Sequence, residues 1–181
     1  MKRTQKWGTV LVPCPVALVS VGDGTKANII TISWTANLSS RPPRIGISVV
    51  PKRHSYDLLQ RFGNFVINIP SADQMDAVMI CGTKSGKNIN KFEATGFTPL
   101  SSTKISSPMI SECPLNIECK TWKVIEVGSH HLFIGDVVVV HIDEAVLDAN
   151  GEPDLTKFAI PAYLPLVREF WAVNQFLRKW K

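Results

Sequence analysis

Charge is scarce in this chain, and none of it is gathered into blocks. Of 181 residues, 19% are Asp, Glu, Lys or Arg and 45% are hydrophobic, a balance that excludes a disordered polymer. The formal net charge of +5 is mild, with no run dense enough to serve as a nucleic-acid arm. That surplus suits a small anionic ligand such as a nucleotide. No apolar run approaches the ~20 residues of a membrane span. Met1-Lys2-Arg3 ahead of the apolar run Val10 to Val21 imitates a signal peptide. Pro13 and Pro15 interrupt that run and no small-x-small cleavage site follows, so it is expected to be a strand of the fold.

Cysteine is nearly as sparse. Cys14, Cys81, Cys113 and Cys119 form no C-x-x-C pair, and the nearest two have no matching histidine cluster. They read as reduced, mostly buried thiols of a cytoplasmic protein. His54, His130, His131 and His141 are scattered, and no metal site is expected from them. Phosphate motifs are missing too. Gly82 and Gly86 have three residues between them where a Walker A loop needs four, and Asn88 follows Lys87 where Ser or Thr belongs. No G-x-G-x-x-G follows a strand, and no carboxylate pair or nucleophile–base set stands out. Asp23, Asp57 and Asp136 read as residues of turns, a cap or a strand end.

What is present is a stretch from Asn28 to Tyr56. Asn28 to Thr35 alternates apolar and small polar side chains, so one face meets a core and a row of hydroxyls lies on the other. A turn at Arg41-Pro42-Pro43 leads to a second strand, Arg44 to Val50, and then to the cationic corner Lys52-Arg53-His54-Ser55. Ser55 is the expected N-cap of a short helix carrying Leu58, Leu59 and Phe62 on one face. Two strands with a hydroxyl-rich edge and a cationic corner suit something flat, polar and anionic.

The remaining chain reads as one domain, 1–181. A strand from Val16 to Val21 ends in the hairpin turn Gly22-Asp23-Gly24. Further strands are expected at Phe65–Pro70, Leu115–Val127, Leu132–Ile142 and Ala145–Leu147, with a helix from Ser71 to about Cys81. The glycine-rich loop after it carries Lys84, Ser85 and Lys87, enough to hold one phosphate. Asp148 to Gly151 is a turn. After Pro165, apolar residues at helical spacing predict a C-terminal helical tail over about 165–181. Count and spacing favour a mainly β chain with a few helices, a β-barrel.

The ordered segments ALVSVGDG, NIITISWTANLSSRPPRIGISV, KRHSYDLL, NFVINIP, SGKNINKF and GSHHLFIGDVV resemble the flavin reductase-like, FMN-binding split-barrel family over roughly Pro15 to Val140. The resemblance implies a six-stranded Greek-key split barrel and a homodimer with FMN at or near the subunit interface. It implies that Ser33, Trp34 and Thr35 line the isoalloxazine ring and ribityl chain, with Asn28 and Thr31 upstream on the same strand. Ser48, Val49, Val50 and Pro51 correspond to the strand end at the ring edge. Arg53, His54 and Ser55 correspond to the phosphate corner, and Ser85, Gly86, Lys87 and Lys91 to the second phosphate and ribityl loop. His130 falls where a nicotinamide would stack and is the candidate catalytic residue. The family's Gly-Asp-His is Gly128-Ser129-His130 here.

The function so implied is transfer of hydride from NAD(P)H to FMN, then of electrons to flavin, ferric iron or a redox protein partner. The alternatives are an FMN electron carrier reduced by a protein, and a barrel holding another anionic cofactor. Taken singly, Trp34 also reads as core packing and His130 as an ordinary strand-end histidine.

Overall fold

The computed structural model describes all residues except Gln5, Trp7, Thr25, Asn174 and 179–181. Two short strands open the fold: β1 (Cys14–Pro15) is followed by β2 (Ala17–Val21), which is buried along its whole length. Chain reversal at Gly22 to Ala27 returns β3 (Asn28–Ile32) antiparallel to β2, with Val21 opposite Asn28. The expected continuous strand from Asn28 to Thr35 is broken at Ser33-Trp34; β4 (Thr35–Ser40) resumes beyond and pairs with β5 (Pro43–Val49). Helix α1 (His54–Phe62) and β6 (Asn64–Ile69) follow.

Next come α2 (Met75–Thr83), entered through a 3-10 turn with a Ser71–Gln74 capping box, and α3 (Lys91–Thr95). A small pair, β7 (Pro99–Leu100) and β8 (Met109–Ile110), precedes the long hairpin β9 (Leu115–Val127) and β10 (His130–Ile142). A further hairpin, β11 (Ile160–Leu164) and β12 (Glu169–Val173), holds β1 at its edge.

The main sheet has the order β3-β2-β6-β9-β10-β5-β4, every neighbouring pair antiparallel. It is a split barrel of seven strands, one more than expected, because the break at Ser33-Trp34 makes two strands of one. That break has a topological meaning. Its flanking strands, β3 and β4, are the two edges of the sheet, so the chain crosses from one edge to the other at Ser33-Trp34. The Ser48 amide donates to the Trp34 carbonyl at 2.9 Å and holds the crossing in place.

Inside the sheet lie Val19, Val21, Ile47, Phe65, Cys119 and Phe133, essentially without solvent exposure. Gly135 lets the wall close on this core, since a Cβ there would sit 2.8 Å from both Phe65 Cζ and Cys119 Cβ. A second apolar layer, with Leu18, Ile29, Val78, Phe92 and Ile110, packs α2 and α3 onto the outside of β2 and β3.

Four further expectations need correction. Ser55 is not the N-cap of α1: the cap is Arg53, with no side-chain bond, while Ser55 is buried and accepts from Asn28 Nδ2 at 2.7 Å. Ala145 to Leu147 is not a strand; Glu144–Val146 is a 3-10 turn capped by the Asp143 carboxylate. The helical tail is overturned over Glu169–Val173, which is extended and paired with β11. The β-prone run Glu-Phe-Trp-Ala-Val satisfies its backbone against that neighbour, and the turn before it takes Arg168 to φ 59°. Residues 174 and 179–181 of that expected tail lie outside the described residues. Asp136 sits within β10, paired with Arg44 at 2.7 Å, and not at a strand end.

Candidate functional site

The crossing at Ser33-Trp34 opens onto two connected clefts. The first, of about 190 Å³, has Ile30, Thr31, Ile32, Ser33 and Trp34 on one side, Ser48, Val49, Val50 and Arg53 on the other, and Gly82 and His130 at its ends. The second, of about 210 Å³, is lined by Asn28, Ile30, Lys52, Arg53, His54 and Ser55, and by α2 and its following loop from Cys81 to Gly86, with Lys91. Ile30, Arg53 and Gly82 belong to both, so the two form one bent trough.

Period-two geometry explains the first cleft. Thr31 stands on the outer face of β3, where its hydroxyl donates to the Val78 carbonyl of α2 at 2.6 Å. Trp34 is 38% exposed and packs on His130 at a ring-centroid distance of 4.4 Å, tilted by 36°. The core reading of Trp34 therefore fails. His130 Nδ1 lies 2.9 Å from the Ser129 hydroxyl. Burial, and then the nearby Arg53 charge, hold its pKa below the ordinary histidine value of 6.5, which favours the neutral ring at pH 7. His131 turns to the opposite side of β10, where its Nδ1 meets the Tyr56 hydroxyl at 2.8 Å.

Charge explains the second cleft. Lys52, Arg53, Lys84 and Lys91 line the trough, and no Asp or Glu does. Lys91 is 4% exposed, its ammonium donating to the Ile29 and Cys81 carbonyls at 2.6 Å each, so it ties α3 to β3 and to the end of α2. Burial lowers its pKa, as expected of a cation with carbonyl partners but little water. Gly86 is where the loop approaches most closely: a Cβ there would lie 2.2 Å from Asn28 Oδ1 and 2.9 Å from His54 Cδ2.

Most sequence-predicted residues meet here. Thr31, Ser33, Trp34, Ser48, Val49, Val50, Arg53 and His130 line the first cleft; Asn28, Arg53, His54, Ser55, Ser85, Gly86 and Lys91 line the second. Three do not. Thr35 lines a separate apolar chamber beyond Trp34, and Pro51 and Lys87 line neither cleft. Sequence reasoning missed Ile30, Ile32, Cys81, Gly82 and Thr83 as lining residues, while Lys52 and Lys84, read as parts of the cationic corner and the phosphate loop, line the second cleft. Gly82, at the end of a helix, had no readable signal.

The four thiols are free and buried. Burial pushes Cys81 up to about 11 and Cys119 to about 12, and raises Cys14 and Cys113 as well, so none is poised as a nucleophile. Among the described residues no cluster of three or more His, Cys, Asp or Glu offers a metal site.

A flavin mononucleotide matches this trough. Its flat ring needs a slot with an apolar floor and hydroxyl or amide partners, and its phosphate needs cations without carboxylates. The first cleft supplies the former and the second the latter. Residues 9–163 match the model of the flavin reductase like domain. The fold superposes on flavoredoxin of Desulfovibrio vulgaris (Miyazaki F) with a TM-score of 0.92 and 33% identity, covering 99% of this chain and 97% of that one. An uncharacterised protein of Pyrococcus abyssi is 34% identical over 155 residues, 86% of this chain and 88% of that protein. An NADH-dependent FMN reductase of Streptomyces nodosus subsp. asukaensis is 26% identical over 137 residues, 75% of this chain and 72% of that enzyme. The chain belongs to the flavin reductase-like, FMN-binding family of split-barrel proteins.

Proposed function

We propose that this protein is an FMN-dependent oxidoreductase that accepts hydride from NAD(P)H and passes electrons to a second acceptor. The observation that carries this reading is the trough itself, lined by Trp34, His130 and a row of hydroxyls at one end, cationic and free of carboxylates at the other. When bound, FMN would supply the hydride-accepting chemistry, and the protein would supply position and charge. Arg53 and Lys84, with the backbone at Gly86, would hold the phosphate. Thr31, Ser33 and Ser48 would orient the ring and ribityl chain. Trp34 and His130 would exclude water over the ring and present a flat surface to a nicotinamide. A neutral His130 avoids placing a cation beside the positively charged oxidised nicotinamide.

The remaining features of the proposal are a homodimer and a cytoplasmic location. Phe170, Trp171 and Val173 on β12 are exposed apolar residues that a second copy would cover. No helix among the described residues is long and apolar enough to cross a membrane.

A second reading, an FMN electron carrier reduced by a protein partner, draws on the likeness to flavoredoxin. Anaerobic mixing with NADH or NADPH separates the two. Bleaching of the flavin bands within seconds supports the reductase, and bands that persist until dithionite is added support the carrier. A protein that takes up no FMN would end both.

A further inference from the structure

On the far side of Trp34 from the trough lies a larger chamber, of about 770 Å³. Its walls come from the segment Gly8 to Pro15, from Ala36 and Leu38 on β4, and from Leu132 on β10. Gly46 forms its floor: a Cβ there would come within 2.7 Å of Leu38 Cδ1 and 2.9 Å of Leu132 Cδ1. None of its described lining residues is charged, whereas four cations line the trough. Ser33, Trp34 and Ser48 line both spaces, so the chamber and the first cleft are separated by little more than one indole and two hydroxyls. Ligand sites for small molecules typically enclose about 300–1,000 Å³ and are mostly apolar with a few placed polar groups, and this chamber has that size and character.

We propose that the chamber is the subsite of the electron acceptor, and that the acceptor is an uncharged aromatic carbonyl compound of the quinone class. The argument rests on the flavin reading above and narrows its open acceptor. An anionic ferric chelate or a free flavin phosphate gains nothing from a lining without cations and loses its hydration there. An uncharged quinone loses little, gains apolar contact with Leu38 and Leu132, and finds hydroxyl donors for its carbonyl oxygens at Thr9 and Thr35, which line the chamber and not the trough. Held beside Trp34, it would accept two electrons and two protons supplied by reduced FMN when that cofactor is bound, its two carbonyl oxygens becoming the hydroxyls of a hydroquinone as the flavin returns to the oxidised form.

The test uses the naphthoquinone menadione, its anionic relative 1,2-naphthoquinone-4-sulfonate, and FMN. Binding to the unreduced protein is followed by tryptophan emission, with Trp34→Phe identifying the signal from the shared wall, and oligomeric state is measured on the same samples. Menadione should saturate, and the sulfonate should bind at least roughly 10-fold more weakly, the usual scale of a desolvated unpaired charge. Leu38→Asp and Ala36→Trp, one adding charge and one filling space at exposed positions of β4, should each weaken menadione by about 10-fold or more while FMN affinity stays put. If FMN binds but menadione does not saturate, or the sulfonate binds equally, or neither variant matters, this inference is wrong and the flavin reading stands. If Leu38→Asp dissociates a dimer and releases FMN, a second copy covers the chamber and the inference is overturned. If FMN itself does not bind, it is the flavin reading that fails.

Discussion

The two spaces that meet at Trp34 differ in nearly everything except the wall they share. The trough carries Lys52, Arg53, Lys84 and Lys91 and no carboxylate; the chamber carries no charge among its described lining residues. The trough is built at the seam of the barrel, where the edges β3 and β4 are joined through Ser33-Trp34 and α2 closes one end. The chamber lies over the outer face of β4 and β5, covered by the segment before β1. One seam in a closed sheet thus creates two environments of opposite polarity within one side chain of each other. A cofactor in one and a reactant in the other would meet only at Ser33, Trp34 and Ser48.

Changes that strip one region and spare the other test this contrast. The largest effect should come from Arg53→Ala combined with Lys84→Ala. Charge-assisted bonds to phosphate are worth roughly 1.5–3 kcal/mol each, so FMN binding should weaken by several kcal/mol while riboflavin binding changes little. Parallel titrations with the two flavins read this directly. Equal losses for both would move the phosphate away from the second cleft.

Next in size is a control remote from both spaces. Glu118 on β9 is fully buried and accepts from the Thr103 and Lys104 amides at 2.7 and 2.8 Å, from the Thr103 hydroxyl at 2.9 Å, and from His141 Nε2 at 2.7 Å. Glu118→Leu strands these donors and should destabilise the fold by about 3–5 kcal/mol, seen in denaturant unfolding. The preference for FMN over riboflavin should survive at temperatures where the variant is folded. Burial pushes the Glu118 pKa up, but those hydrogen bonds outweigh it and hold the folded value below the ordinary 4.5. A depressed carboxylate contributes stability that is complete above the unfolded pKa and lost as pH falls through the folded one. The wild-type protein should therefore lose this contribution below about pH 4.5, and Glu118→Leu should show a flatter acid limb.

Trp34→Ala removes the wall itself. The ring contact with His130 is worth about 0.5–1.5 kcal/mol, so flavin affinity should fall modestly. The larger consequence is qualitative: anionic acceptors should gain on uncharged ones once the partition is gone, measured as the ratio of their reoxidation rates.

The smallest effect lies within the trough, between Arg53 and His130. After burial, the Arg53 charge is the second cause that lowers the His130 pKa. Arg53→Ala should raise the midpoint of His130, followed by ring-proton NMR, toward 6.5. Because the folded value is depressed, this histidine favours folding most above pH 6.5 and costs stability below it.

How much of this the sequence carried follows from the range of the forces involved. Alternation along Asn28–Thr35 and Arg44–Val50, the turn at Gly22 and the helix start at Ser71 are local signals; strands formed at Asn28–Ile32 and Pro43–Val49, the chain reverses after Gly22, and a helix is entered after Ser71. The long hairpin was visible as two β-branched runs, though β10 begins at His130, two residues earlier than its apolar pattern. What failed depended on partners distant in the chain. Apolar spacing at Val167, Phe170 and Trp171 is helical, but β11 offers a ladder and extended pairing wins. Ser55 has the chemistry of a cap; burial against Asn28, 27 residues away, gives its hydroxyl a different partner. Lys91 was legible as a cation of the anion loop, yet its carbonyl ties to Ile29 and Cys81 needed α2, α3 and β3 to be packed together. The chamber was not legible at all, because its walls join the segment before β1 to three strands that only the barrel assembles.

The measurement that tests the account most directly is a side-by-side titration of the wild-type protein with FMN and riboflavin. Binding of FMN tighter by at least about 100-fold, with the difference shrinking as salt is raised, is the result predicted by a cationic second cleft holding the phosphate. Equal affinity for the two flavins at low salt, or no affinity for either, would contradict it.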